Sequence, residues 1–379
     1  MRQYAVALKN MAKGLRINKY SYLDMGFLSK AFGYRVSPWG LIPIDNLDGI
    51  FEAFNEGALY EYGFAQCLPY INIIVSSYYK FLVNFSTVWT IDEESETLVK
   101  TMFVLPFNPE YPEWKVIDFG ETIYLHNGYD MYKYDGTDMV SCNTDLQGII
   151  CSGSCQALGR VILGGFSNDA YLTDVTKPVS FLDEGCLWWS SIGGKDFVSQ
   201  VTSSGAEVEE GMLSQEMGFL KCNILGSIID IRELDPATVV VYGTNGIAYY
   251  RQITEPVVTL SESVISKIGV KNRTCIGGYR ANQLFISKSN EIYLIGYDDF
   301  GNITSSKIGG QEYIEEMGDD IKITYNEEEG DFYIASNQYT LVLNKEGLTQ
   351  FDKVVHGVVP LKGRLVPLLT KTNKIGDQS

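Results

Sequence analysis

The sequence predicts an all-β protein, and three observations carry that expectation. Tyrosine, phenylalanine and glycine number 25, 18 and 37 among 379 residues, which suits strands and tight turns. Paired apolar runs separated by short turn signals recur from about Ile73 onward. Helical runs of Ala, Leu, Glu and Lys are scarce. With 45% hydrophobic residues the chain has ample material for a large core.

The elements follow in order. Tyr79 to Phe85 reads YKFLVNF and is followed by TVWTI, Thr87 to Ile91. Thr122 to Leu125 (TIYL) turns through His126-Asn127-Gly128 into Met131 to Tyr134 (MYKY), closed by Asp135-Gly136. Val161 to Gly164 opens a third unit, and Val239 to Tyr250 forms a further hairpin around Thr244-Asn245-Gly246. Leu284 to Ser287 turns at Ser289-Asn290 into Glu291 to Tyr297. Phe332 to Ala335 turns at Asn337-Gln338 into Tyr339 to Asn344. Apolar and polar residues alternate in MYKY and YTLVLN, as in strands with one buried face, whereas the central runs are continuously apolar, as in strands covered on both faces.

Taking Phe81, Thr122, Val161, Val239, Leu284 and Phe332 as starts, the spacing is about 40 residues, with one gap of roughly twice that and the later gaps nearer 45 to 50. That repeat length matches one four-stranded propeller blade. The expectation is a β-propeller of six or seven blades with an N-terminal extension; a β-sandwich or barrel is the alternative. The long gap leaves two readings, a hidden blade or a blade with an insertion. The hairpins 122–140, 284–305 and 332–350 should each lie within a single blade, and Tyr124, Tyr132, Tyr134, Phe285 and Tyr293 include residues expected against neighbouring blades.

The N-terminal region differs in kind. Residues 1–60 are expected to be a docking arm and lead-in, 61–370 the propeller body, and 371–379 a C-terminal tail. Met1 to Gly40 carries seven cations against the single acid Asp24, so this arm is +6, and a chain of net charge −17 leaves −23 for the rest. Lys9, Lys13, Arg16 and Lys19, with Tyr22 and Trp39, are the residues expected to dock, either onto the acidic body of a neighbouring copy or onto an adaptor protein. The opposite expectation is an arm folded back on its own propeller.

Enzymatic and metal chemistry find little footing. The many carboxylates, among them Asp118, Asp138, Asp183, Asp298 and Asp299, fall in turns and form no recognisable pair for glycoside hydrolysis. His126 is expected to be an exposed turn residue, and His356 to lie on or beside the last strand. No Gly-x-Ser-x-Gly elbow occurs, and no cysteine is set beside a histidine in the sequence. The turns 298–302 and 326–331 are oxygen-rich but lack the spaced ligands of a calcium loop. Seven cysteines without regular spacing, Cys151 and Cys155 included, predict reduced and mostly buried thiols. Gly193-Gly194-Lys195 lacks the spacing of a phosphate loop. No cofactor is expected. No apolar run reaches the ~20 residues needed to span a bilayer, and no secretory leader is visible, so synthesis in the cytoplasm is expected.

One segment carries a resemblance. GRVILGG enters a turn, CLWWSSIGGKDF follows, then an acidic excursion, then VVVYGTNGIAYY. Trp189, Ser190, Ile192, Gly193 and Phe197, with Gly243, Thr244 and Gly246, stand in an order that resembles the tail nozzle and hub β-propellers of short-tailed bacteriophages. The resemblance implies a structural virion protein without enzymatic activity: one subunit of a homo-oligomeric ring, expected to be a hexamer, that forms the DNA-ejection channel. Its partners would be tail adaptor or portal-side proteins, tail fibres and, transiently and without sequence specificity, viral DNA. It would be made in the host cytoplasm and reside in the virion tail. A receptor-binding or carbohydrate-binding propeller at the tail tip, possessing depolymerase activity or not, is the alternative. Trp188 and Trp189 point to opposite faces if they share a strand, so inter-blade packing is expected of them rather than a joint sugar platform.

Overall fold

The computed structural model describes residues 34–37, 40–43, 71–92, 94, 97–142, 151–166, 183–193, 218–222, 226–253, 259–351, 353–361 and 364–370. Six four-stranded antiparallel meanders follow one another along the chain. Blade 1 comprises β3 (Ile71–Val75), β4 (Lys80–Asn84), β5 (Thr87–Asp92) and β6 (Thr97–Val104). Blade 2 comprises β7 (Lys115–Phe119), β8 (Thr122–His126), β9 (Met131–Tyr134) and β10 (Met139–Ser141). Blade 3 holds β11 (Cys151–Ala157), β12 (Arg160–Phe166), β13 (Cys186–Trp189) and β14 (Gly218–Lys221). Blade 4 holds β15 (Ile228–Asp235), β16 (Thr238–Gly243), β17 (Ile247–Ile253) and β18 (Thr259–Ser266). Blade 5 runs through β19 (Ile276–Tyr279), β20 (Asn282–Ile286), β21 (Ile292–Tyr297) and β22 (Ile303–Gly309); blade 6 through β23 (Lys322–Asn326), β24 (Asp331–Ala335), β25 (Thr340–Asn344) and β26 (Gly347–Phe351).

The protein is a β-propeller. Each blade's first strand packs against the first strand of the next: β3 on β7, β7 on β11, and so on to β23. A two-stranded sheet, β27 (Val354–Leu361) with β28 (Arg364–Thr370), stands between β23 and β3 and closes the inner ring. A separate hairpin, β1 (Tyr34–Ser37) with β2 (Gly40–Pro43), lies beside β26. The one α-helix among the described residues, α1 (Gln311–Met317), links blades 5 and 6.

The six sequence starts, from Phe81 to Phe332, all fall on the second strand of a blade. The long gap is an insertion and not a hidden blade. Val161 lies on blade 3 and Val239 on blade 4, which packs directly against it, and the connections 167–185 and 190–217 of blade 3 carry the extra length. The three expected hairpins each lie within one blade.

The core is divided into slabs between blades. Tyr134 of blade 2 meets Phe81 and Phe103 of blade 1, and Phe285 of blade 5 meets Tyr242 of blade 4. Trp188 packs with Ile117 and Met131 towards blade 2, whereas Trp189 packs with Ile231, Val241 and Tyr250 towards blade 4. The two indoles thus tie one blade to both neighbours, as the period of two requires. Each fully buried aliphatic or phenyl side chain in these slabs is worth roughly 1.5–3 kcal/mol.

Near the axis the sheets come close enough that a side chain is excluded at alternate seams. A Cβ on Gly153 would stand 2.9 Å from Ile231 Cγ1, and one on Gly357 would stand 2.7 Å from Ile73 Cδ1. Gly277 meets Ile323 in the same way. A glycine of one inner strand therefore receives an isoleucine of the next.

Candidate functional site: the axial channel

The inner strands surround an axial space entered from both ends. One cavity, of about 1200 Å³, is lined by residues of all seven inner strands, from Asn72 on β3 to His356 on β27. A second, of about 580 Å³, opens at the end where the inner strands begin and is lined by Tyr111, Asn127, Arg273 and Asp319 among others. Glu113 and Lys322 line both.

A charged cluster sits where these cavities approach. Asp230, fully buried on β15, pairs with Lys115 of β7 and accepts from Arg232 Nε at 3.0 Å. Arg232 also donates through Nη2 to Ile276 O at 2.8 Å, tying blade 4 to blade 5. Arg273 Nη1 donates to Asn127 O at 2.8 Å, and its Nε lies 3.9 Å from Glu113 Oε2. Lys322 Nζ donates to Ile71 O at 2.9 Å, from blade 6 across to blade 1. Burial pushes the Asp230 carboxyl up, but the charges of Lys115, Arg232 and Arg273 outweigh it and hold the group below the usual carboxylate range. Burial lowers Lys115 to about 8 despite Asp230 beside it. The arrangement staples blades across the axis, because buried charges are tolerated only when paired.

His126 departs from expectation. It is buried at the end of β8, not exposed in a turn. The turn is made by the following residues: Asn127 Oδ1 accepts from the amides of Tyr129 and Asp130, at 2.9 and 2.6 Å. That leaves the imidazole facing blade 3, with Nδ1 2.8 Å from Ser154 Oγ and Nε2 3.2 Å from Cys151 Sγ. A cysteine and a histidine far apart in sequence are thus within hydrogen-bond reach, which sequence spacing did not reveal. Burial raises the Cys151 thiol to about 12 and, with Arg273 and Lys115 nearby, lowers the imidazole well below its ordinary value. Both shifts oppose the thiolate–imidazolium form that a nucleophilic cysteine uses. His356 lies on β27, fully buried.

The residues carrying the family resemblance make turns and seams. Ser190 Oγ accepts from Val161 N at 3.0 Å, and Ser190 O accepts from Arg160 Nη1 at 2.7 Å. Gly193 N donates to Gly159 O at 2.9 Å with φ +83°, and Ile192 is exposed. Gly243 N donates to Gly246 O, closing the β16–β17 turn, and Thr244 N donates to Ser227 O at 2.9 Å. Phe197 and the arm residues Lys9, Lys13, Arg16, Lys19, Tyr22 and Trp39 lie outside the described residues.

The oxygen-rich turns are stabilised by their own amides. Asp298 Oδ1 accepts from the amides of Phe300 and Asn302, and Asn326 Oδ1 from those of Glu328 and Glu329. Among the described residues no group of three or more His, Cys, Asp or Glu is placed to hold a metal ion. Six described cysteines are free thiols, five of them buried. No helix among the described residues is long and apolar enough to cross a membrane.

No family model matches the chain, and no curated protein matches it. Solved structures similar to it include virginiamycin B lyase from Staphylococcus aureus, at 11% identity over 76% of this chain and 87% of that one, with a TM-score of 0.43. YCF48 bound to D1 peptide is similar at 11% identity over 81% of this chain and 91% of that one, also with a TM-score of 0.43. PorZ of Porphyromonas gingivalis, a surface component of the type-IX secretion system, is similar at 10% identity with a TM-score of 0.41; the match covers 79% of this chain but only 35% of PorZ. Likenesses at these levels carry no functional argument.

Proposed function

We propose that the chain is a structural subunit of a short phage tail, assembling as a homo-oligomeric ring around the path of the ejected genome. The observation that carries this reading is the order of sequence motifs from Gly159 to Tyr250. Within it, the Trp188-Trp189 pair lies on the third strand of blade 3 with Ser190 to Gly193 turning out of it, and GTNG makes the β16–β17 turn of blade 4. Blades buried on both faces, cross-stapled at the axis, make rigid wall material. The propeller's own axis is occupied by Lys115, Asp230, Arg232, Arg273 and Lys322, so the DNA path belongs at the centre of the ring of subunits. A body of net negative charge suits that wall, because it offers few cations for phosphate contacts and counterion release.

Electron microscopy of the purified full-length protein tests the proposal. Rings with a central opening are expected; a monomer at every concentration tried would sink it.

A second reading, a carbohydrate-binding propeller, draws on one observation. Tyr111 stacks with the exposed Tyr129, centroids 5.9 Å apart, at the mouth of the smaller cavity, which Glu110, Glu113, Asp319 and Asp320 also line. Aromatic faces beside carboxylates suit sugar rings. Binding to host glycans that Tyr111→Ala abolishes would favour it over the ring.

A further inference from the structure

The smaller axial cavity holds donors that nothing among the described residues satisfies. Arg273, on the short helical turn Arg273–Cys275 that leads into β19, spends only Nη1, which donates to Asn127 O at 2.8 Å. Its Nε and Nη2 are buried and have no hydrogen-bond partner among the described residues. Those two nitrogens form one edge of the guanidinium, with parallel N–H groups that receive a carboxylate in bidentate fashion. Asn127 adds a further idle donor. Its Oδ1 is fixed by the amides of Tyr129 and Asp130, which orients the side-chain amide and leaves Nδ2 buried and unpartnered. Glu113 Oε2 is idle too, because at 3.9 Å from Arg273 Nε it lies beyond hydrogen-bond distance. All three residues line the cavity of about 580 Å³.

The other cations of this cavity are committed. Lys271 Nζ donates to Asn290 Oδ1 at 2.9 Å and to Gly318 O at 3.1 Å, and pairs with Asp319 Oδ1 at 2.8 Å, which uses its three protons. Lys322 Nζ is turned to Ile71 O. Arg273 is therefore the lining cation whose nitrogens stand without partners. Gly128 makes room for it. A Cβ there would stand 2.9 Å from Arg273 Nη1 and 3.1 Å from Tyr111 Cδ1, and its φ of +102° suits glycine. The guanidinium and the Tyr111 ring thus approach the same turn, and Tyr111 stacks on Tyr129 at the mouth.

Buried donors without partners are costly, so a group that satisfies them binds with advantage. Charge bounds what that group is. Glu110, Glu113, Asp319 and Asp320 also line the cavity, so a dianion such as phosphate meets more repulsion there than a single carboxylate does. The same acids accept from hydroxyls, and the tyrosine faces suit a sugar ring. We propose that this cavity binds an acidic sugar, a hexuronic acid unit. Its carboxylate lies on the Nε–Nη2 edge of Arg273 with Asn127 Nδ2 as a further donor, its ring lies against Tyr111, and its hydroxyls donate to Glu113 and the neighbouring acids. The inference rests on the carbohydrate-binding reading and narrows it to one class of sugar.

Calorimetric titration of the full-length protein with galacturonic acid, its methyl ester and galactose tests this. The acid is expected to bind about tenfold or more tightly than the ester or galactose, which keep the ring and lose the charge. Arg273→Lys, which keeps a cation but not the two-pronged edge, should erase most of that preference. Tyr111→Ala should weaken the three sugars alike. The preference is read first on the unaltered protein, so a variant that fails to fold leaves the test intact. Equal affinity for acid, ester and galactose would overturn the acidic-sugar inference and leave the carbohydrate reading standing. No binding of any of the three at millimolar concentration would overturn the inference together with the reading on which it rests. Acetate or inorganic phosphate bound as tightly as the acid would reduce the site to a general anion hole and also overturn it.

Discussion

Lys115 on the first strand of blade 2 forms an ion pair with Asp230 on the first strand of blade 4, reaching past blade 3 across the axis. Because Asp230 is fully buried, removing its charge leaves Lys115, Arg232 and Arg273 facing one another in a poorly solvated space. Asp230→Ala should therefore destabilise the protein by about 3–5 kcal/mol, whereas replacing Asp230 and Lys115 together by apolar residues should cost less than the single change. Denaturant unfolding of the three variants checks this. A single-variant loss below about 1 kcal/mol would mean that the staple holds nothing.

Gly277 should tolerate no side chain. An added methyl would overlap Ile323, standing 2.7 Å from its Cβ and 3.0 Å from its carbonyl oxygen. Gly277→Ala is expected to cost about 1–3 kcal/mol, and Ile323→Ala in the same chain should recover part of that loss. It removes Cγ2, the Ile323 atom nearest the added methyl, while the Cβ and carbonyl contacts remain. Equal and additive losses in the double variant would show that the two residues do not meet.

Acid should unfold the propeller through its buried histidines. Burial lowers His356 to about 3, with Lys322 adding to the effect, and His126 also lies well below its ordinary value. Between about pH 6.5 and the folded values the unfolded chain binds protons that the native chain refuses, so stability falls as pH falls. Each histidine contributes a slope of about 1.4 kcal/mol per pH unit in that window. Asp230, whose folded value is depressed, contributes stability that is present above the ordinary aspartate range and lost as pH drops through its folded value. His356→Gln should reduce the slope between pH 6 and 4 by about one proton's worth, measured by denaturant midpoints at each pH. An unchanged slope would place the titration elsewhere.

The repeat was legible because blade geometry leaves a local signature. The second strand of each blade is an apolar run, covered on both faces in blades 3, 4 and 6, and those runs, from Phe81 to Phe332, gave the spacing. Trp188-Trp189 was readable for a related reason, since the strand period alone sends adjacent side chains to opposite seams. The axial cluster was not legible. Lys115 and Asp230 are 115 residues apart, and neither sits in a motif. Their meeting depends on ring closure, to which no short-range pattern testifies. His126 was misread because His-Asn-Gly has turn composition, while the turn itself begins one residue later with Asn127 as its hydrogen-bonding side chain.

The arm supplies the last prediction. Lys9, Lys13, Arg16 and Lys19 put four cations within eleven residues of a chain whose remainder is strongly acidic. Long-range attraction between opposite charges speeds encounter more than it strengthens the final complex, and salt screens it over about 8–10 Å. If the arm docks onto a neighbouring subunit, ring assembly should slow as salt rises. Reversing all four charges to glutamate should slow assembly by about tenfold or more at low salt and abolish most of its salt dependence. Tyr22→Ala should act differently: it should weaken assembled rings by shortening their lifetime, because aromatic anchors govern dissociation. Light scattering after a jump in protein concentration follows the first effect, and subunit exchange between labelled rings follows the second. If these charges serve encounter between subunits and not folding, the charge-reversed protein should melt within about 1 kcal/mol of the parent. Assembly at the parental rate by that variant would remove the arm from the docking role.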